Sequence, residues 1–370
     1  MPAIDVHTHF IPESFPAYRG KGANIPWPSI APAGCGHAHV MISGKNYRTV
    51  PTTSWDAASR ITDMDAIGLT RHVLSPMPEL LSYWLPAEDA QVLVRHLNDE
   101  MARLVSRHPD RFSALGAVPL QDVDLAIREL EYVMKTLGLA GVEIATHVNG
   151  IAIGDPRLAP FFAAAEALDA AVFVHALHPA GRDRIVGAGI SEQVVCFPGE
   201  VALGIASIIT GQTLERHPRL RIGFSHGGGA FGMLLPRMQH SWQAVPAMRE
   251  TVKRAPQEYA RMMYYDTLTY SAASLGFTFR EMHLEQHRGM PIKKTECEFF
   301  APSRLGDLLD CALGVDRLGN SSVAITIRVS CGGELRAVVH HLMVHVSAET
   351  GRAVALAPAV RERMQAFIAA

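Results

Sequence analysis

The chain has 370 residues, 48% hydrophobic and 19% charged, which provides ample apolar surface for a packed core and excludes an extended disordered protein. With 34 basic against 36 acidic residues the formal charge is −2, which argues against a nucleic-acid binder held by phosphate contacts. At roughly 100–200 residues per domain, the length suits one large domain or two smaller ones. The five cysteines, Cys35, Cys196, Cys297, Cys311 and Cys331, are widely spaced and form no C-x-x-C pair. They read as reduced thiols of a cytoplasmic protein, not as a zinc ribbon or disulfide framework. Asp5 and His7 interrupt any apolar opening segment, so no signal peptide is predicted. The most apolar stretch, Phe161 to Leu177, carries Glu166, Asp169 and His175, so no membrane helix and no membrane partner are expected.

Short β-branched runs alternate with longer helical patterns. The predicted strands are Ala3–Phe10, Arg71–Pro76, Phe112–Pro119, Gly141–Thr146, Ala171–His175, Leu220–His226 and Met263–Thr269. Apolar residues at helical spacing predict helices over Asp89–His108, Val123–Leu137, Leu158–Leu168, Val201–His217 and Ala230–Trp242. Strand–helix alternation implies a parallel sheet, and seven such strands point to a (β/α) barrel of the TIM type. The first connection, Pro12 to Trp55, is long and rich in Pro and Gly, as loops over barrel active sites often are. Near residues 275–290 the texture changes. Val323, Ile325, Ile327 and Val329 alternate with small or polar residues, Cys331-Gly332-Gly333-Glu334 is a turn signal, and Leu335–Val346 is a second strand run. Pro358–Ala370 reads as a closing helix. The domains are therefore placed at 1–275 and 291–370, with a junction over 276–290.

Asp5-Val6-His7-Thr8-His9 on the first strand is the sharpest chemical signal. Residues i and i+2 of a strand face the same way, so His7 and His9 can both look into the barrel. His175 and His226 end two later strands. Imidazoles gathered at C-terminal strand ends suit a divalent metal such as zinc. The bland alternative for each is a buried, hydrogen-bonded histidine. His37, His39 and His72 read as surface or loop residues. Gly227-Gly228-Gly229 reads as a tight turn, with a phosphate cradle as the alternative.

Residues 1–275 resemble the amidohydrolase superfamily, in particular its 2-amino-3-carboxymuconate-6-semialdehyde decarboxylase group. Ile4-Asp5-Val6-His7-Thr8-His9-Phe10, Lys45-Asn46-Tyr47-Arg48, Val118-Pro119-Leu120-Gln121-Asp122, Phe173-Val174-His175 and His226-Gly227-Gly228-Gly229-Ala230-Phe231 carry the resemblance. It implies that His7, His9 and His175 bind Zn2+ or another divalent metal and that His226 is the acid/base. It also implies that Arg48 holds the carboxylate of a small acid substrate. Arg237 is expected to reach a neighbouring subunit's site, which implies a homodimer. The family's strand-eight aspartate has no counterpart here, and Asp266, on strand seven, is not read as a ligand.

Residues 277–370 resemble instead the later part of the hotdog-fold acyl-CoA thioesterases. Glu298-Phe299-Phe300-Ala301-Pro302-Ser303-Arg304-Leu305-Gly306-Asp307 and Gly332-Gly333-Glu334-Leu335 carry that likeness, with no thioesterase catalytic residue among them. The expectation is thus an incomplete barrel followed by a partial hotdog segment. The leading function is a metal-dependent carboxy-lyase, impaired to the extent that the missing aspartate matters. The alternatives are a hydrolase or hydratase on the same site, an inactive fusion product, and a thioesterase.

Overall fold

The computed structural model describes residues 3–368 except 23, 283–287, 290, 291, 305, 306, 348, 349, 351, 357 and 366. It divides into two units, Met1–His283 and Leu284–Ala370.

The first unit is built on seven parallel strands: β1 (Ile4–Phe10), β2 (Arg71–Pro76), β3 (Phe112–Ala117), β4 (Gly141–Ala145), β5 (Ala171–His175), β6 (Arg221–Phe224) and β7 (Tyr264–Tyr265). They lie side by side in chain order, β1 at one edge and β7 at the other. The result is a curled, TIM-like half-barrel. Ile4, Val6 and Tyr264 on its edge strands are 52%, 37% and 63% exposed, because a barrel with seven staves leaves two flanks that an eighth would cover.

The helices follow the predicted periodicity. α1 (Ala57–Ala66) and α3 (Val123–Glu131) start where Asp56 and Asp122 accept the Ser59 and Leu125 amides, the capping role of a short carboxylate. α2 (Ala87–Arg107) buries Ala90, Leu93, Val94, Leu97, Met101 and Leu104, a stripe at i, i+3, i+4 spacing. Its buried Asn98 bonds both backbone groups of Ala117 and the Glu129 carboxylate. α4 (Ala159–Ala167), α5 (Phe197–Thr210) and α6 (Phe231–Ala244) complete the shell. Phe112, Phe161, Phe162, Phe224 and Tyr259 are fully enclosed in the core between strands and helices.

Several expectations are corrected. The Pro12–Trp55 connection is not mere loop: Pro28–Gly34, His37–Ile42 and Lys45–Pro51 form an antiparallel sheet. Its Val40 and Val50 pack with Met77, Leu80, Leu93 and Leu97 in a small core of their own. The helix predicted over Val201–His217 ends at Thr210. At Gly211 a β-carbon would lie 2.0 Å from the Gly154 carbonyl oxygen, and Gln212 turns left-handed at φ 59°. Strand seven is only Tyr264–Tyr265, because the Asp266 carboxylate takes the Leu268 amide at 3.1 Å and turns the chain. His72 is no loop residue: it lies on β2, and both its ring nitrogens are enclosed without a partner. His37 is exposed and His39 half-buried in the small sheet. The run Glu192–Thr210, not Phe161–Leu177, is long and apolar enough to cross a membrane by length and composition. Here it ends in α5, which buries Val201, Ile205, Ile208 and Ile209 as the crossover from β5 to β6. The five cysteines are unpaired.

The second unit holds an antiparallel sheet of β8 (Ile292–Phe299), β9 (Asp310–Leu318), β10 (Ser322–Cys331) and β11 (Glu334–Val344), in the order β8-β11-β10-β9. The β10–β11 hairpin turns through Gly332 and Gly333, both at positive φ, as a tight hairpin requires. The closing helix, Pro358–Gln365, is shorter than predicted. Val315, Val323 and Leu356 form a small core there.

Candidate metal centre

The histidines converge as their strand positions predict. His7 and His9 come from β1, His175 ends β5, and His226 stands just past β6. Ring centroids are 5.1 Å apart for His7 and His9, 5.0 Å for His7 and His175, 5.2 Å for His7 and His226, and 5.0 Å for His9 and His175. Ring nitrogens of His7, His175 and His226 all lie within 4.8 Å of one another. His9 stands against them with its Nδ1 enclosed and without a hydrogen-bond partner.

The hydrogen bonds fix which nitrogen carries the proton. His7 Nδ1 donates to Asp266 Oδ2 at 2.7 Å, and His175 Nδ1 donates to the Ala176 carbonyl at 2.7 Å. Neither acceptor has a proton to give, so each ring in its neutral form turns an Nε2 lone pair inward. Those two Nε2 atoms are 3.2 Å apart. Two lone pairs at that distance repel unless a cation lies against both. Nitrogens at 2.0–2.1 Å on a tetrahedral zinc are separated by about 3.3 Å. The donor set therefore fits a divalent metal.

Burial keeps His9, His175 and His226 uncharged. It lowers the pKa of His9 to about 3 and of His226 to about 4, and holds His175 well below the ordinary imidazole value, with neighbouring histidines adding in each case. A neutral imidazole is the form that ligates. Burial would by itself raise the Asp266 carboxyl. The hydrogen bond from His7, with those from the Gly227 and Leu268 amides, outweighs it and holds the group below its usual range.

Asp266 is the site residue that the sequence reading set aside. One carboxylate oxygen accepts from His7 and from the His226 amide at 2.9 Å; the other accepts from the Gly227 amide at 2.6 Å and from Leu268. It thus orients one imidazole and the backbone of another. Its signal was its position, an aspartate at the C-terminal end of a barrel strand. Gly227-Gly228-Gly229 is a tight turn, with φ of 61°, 76° and 59°, and a β-carbon at Gly229 would lie 2.1 Å from the Pro198 carbonyl oxygen. The phosphate reading does not survive. The amides of residues 226–230 are all spent, on Asp266, Ser225, His226 and Pro198.

A cavity of about 1080 Å³ opens over the rings, lined by His7, His9, His175, His226, Arg48 and Glu79 together with apolar residues such as Val194, Phe197, Met233 and Phe277. Arg48 reaches it from the last strand of the small sheet. Arg237 is exposed on α6 and does not line it. Inside β4 the sequence reading also missed Glu143, fully enclosed, with no well-formed hydrogen bond to either carboxyl oxygen among the described residues. Burial, partly offset by the nearby Ser75 hydroxyl and reinforced by the charge of Glu79, pushes its pKa up to about 8.

Residues 4–301 match the family model described as amidohydrolase, and residues 257–364 match that of the thioesterase-like superfamily. The chain is 35% identical over 275 residues to 2-amino-3-carboxymuconate-6-semialdehyde decarboxylase of Dictyostelium discoideum, covering 74% of this chain and 76% of that protein. It resembles the 5-carboxyvanillate decarboxylase structure from Sphingomonas paucimobilis at 28% identity and TM-score 0.57, covering 61% of this chain and 70% of that one. A 5-carboxyvanillate decarboxylase from Novosphingobium aromaticivorans, in complex with manganese and 4-hydroxy-3-methoxy-5-nitrobenzoic acid, matches at 25% identity and TM-score 0.54, covering 60% of this chain and 66% of that one. With four-fifths of its length inside the first family model, and with relatives that are decarboxylases, this chain belongs to the amidohydrolase family.

Proposed function

We propose that the protein decarboxylates a small aromatic or unsaturated carboxylic acid, with a divalent cation held by His7, His9 and His175. The inward-facing lone pairs of His7 and His175, 3.2 Å apart, carry this reading, and the decarboxylase relatives set the reaction class. Imidazole ligands favour zinc, and manganese is the ion named for the Novosphingobium relative. When bound, the metal supplies a Lewis acid that stabilises negative charge as it develops on the substrate.

The chain's own groups divide the remaining work. Arg48 would take the substrate carboxylate in its planar guanidinium fork. The apolar wall of Val194, Phe197, Met233 and Phe277 would pack the unsaturated frame and exclude water. Breaking the bond to the carboxyl carbon releases carbon dioxide and leaves an electron pair on the ring or chain carbon. His226, held at Nδ1 by the Ser225 hydroxyl at 2.8 Å and at its amide by Asp266, would take up a proton from water and pass it to this carbon, returning to the neutral ring. Arg237, exposed on its helix, would complete a neighbour's site in a homodimer.

Carbon dioxide release from 2,6-dihydroxybenzoate, 5-carboxyvanillate and related acids, by zinc- or manganese-loaded protein, tests the proposal. His226→Asn is expected to cut kcat by about a hundredfold or more with metal retained. Arg48→Leu is expected to raise KM by about tenfold or more. Metal-loaded wild type that releases no carbon dioxide from any of these acids, or a His226→Asn variant at full rate, would contradict it.

A further inference from the structure

We propose that Glu79 sets substrate specificity by accepting a hydrogen bond from a hydroxyl or amino group carried on the acid that Arg48 holds. This rests on the decarboxylase reading and narrows it to acids bearing a hydrogen-bond donor away from the carboxylate.

Glu79 sits in the short helical turn Pro78–Leu81 that leaves β2. It is 7% exposed and lines the cavity shared by the four histidines and Arg48. Its Oε1 accepts from the Tyr47 hydroxyl, whereas Oε2 is enclosed and has no partner among the described residues. A buried carboxylate oxygen left unpartnered is costly, and because Glu79 lines the cavity, a small turn of its carboxyl toward a ligand donor removes that cost.

The small sheet prepares this arrangement. Val40 pairs with Arg48 and Met41 with Asn46, so Tyr47 is the extra residue of a bulge. A bulge re-aims a side chain, and here consecutive residues serve one cavity: Arg48 lines it and Tyr47 clamps Glu79. Burial and the charge of Glu79 push the Tyr47 hydroxyl well above its ordinary pKa, so it remains a donor and spends Oε1. Arg48 and Glu79 are the only Arg, Lys, Asp or Glu side chains lining the cavity among the described residues. The wall also carries the four histidines and the neutral polar groups of Gln193, Thr269, Tyr270, Ser274 and Thr278, and against these it offers one guanidinium for a carboxylate and one carboxylate for a donor. A site with a buried acceptor penalises an analogue that cannot donate far more than an apolar pocket penalises a lost methyl group.

The test is calorimetric titration of metal-loaded protein with benzoate and with its 2-, 3- and 4-hydroxy, amino and methoxy derivatives. Wild type is expected to bind the hydroxy or amino acid at one ring position about tenfold or more tighter than the matching methoxy acid. In Glu79→Leu that ratio is expected to fall to about two or less, with benzoate affinity changed by no more than about threefold. The isosteric Glu79→Gln, which keeps an acceptor oxygen and the fold, retains part of the preference. Tyr47→Phe, which frees Glu79 to move, weakens it. An unchanged ratio in Glu79→Leu, or a flat series in wild type that still binds benzoates, overturns the role of Glu79 while sparing the decarboxylase reading. Wild type that binds no acid of the series overturns the role of Glu79, while the decarboxylase reading stands or falls on carbon dioxide release.

Discussion

Asp266→Ala is expected to lower metal affinity by about a hundredfold and to destabilise the first unit by about 3 kcal/mol. The carboxylate ties together four donors that have no alternative partner among the described residues: His7 Nδ1 and the amides of His226, Gly227 and Leu268. Without it the His7 ring loses both the acceptor that selects its tautomer and the contact that orients its lone pair. His226, at φ 57°, loses one of the bonds holding its left-handed backbone, a conformation that a residue with a side chain keeps only under such constraint. Asp266→Asn is expected to fall between the two proteins and not to rescue. Its amide group must face either His7 with the His226 amide, or the Gly227 and Leu268 amides, donor against donor. Metal titration with a chromophoric competitor and urea unfolding measure the two effects separately. Wild-type affinity in Asp266→Ala would show that His7 needs no such support.

Glu143 gives the second large effect, and its sign is opposite to that of a salt-bridged carboxylate. Its pKa is about 8 in the folded protein against an ordinary 4.5. The folded state therefore holds the proton more tightly than the unfolded chain. The stability this group contributes is complete below pH 4.5 and is lost as pH rises through 8. By pH 8 the loss is on the order of 4 kcal/mol. Glu143→Gln is neutral at every pH and of nearly the same shape, so its stability should lack this slope. The variant is expected to gain about 3 kcal/mol on wild type between pH 5 and pH 8. Buried histidines titrate in both proteins and cancel in the difference. Urea unfolding of both proteins at the two pH values checks it; a difference independent of pH would mean that Glu143 is ionised in the fold.

Much of the first unit was legible because its signals are local. The strands are short and mostly apolar runs, the helices carry apolar stripes, and His7, His9, His175 and His226 mark strand ends where barrels place their chemistry. What was not legible depends on partners remote in sequence. Asp266 is 259 residues from His7, and no spacing rule connects them. Glu143 sits in a buried strand where its neighbours predict only apolar character. The small sheet in the first connection was hidden by Pro26, Pro28, Pro32 and its glycines, which read as loop. Those glycines instead make its turns, Gly34 and Gly36 around one, Gly44 at the next, all at positive φ. The helix is interrupted at Gly211 by a backbone contact with Gly154, from elsewhere in the fold, whereas the seventh strand is cut short by the Asp266 side chain accepting the Leu268 amide two residues on.

The proposed centre requires His7 and His175 to present two lone pairs to one divalent ion. Metal analysis by plasma mass spectrometry, on protein equilibrated with zinc and then dialysed against metal-free buffer, tests it most directly. About one ion per chain is predicted for wild type, and about a tenth of that or less for the folded His7→Ala, His175→Ala double variant. Wild type without metal, or a double variant that retains a full equivalent, would contradict it.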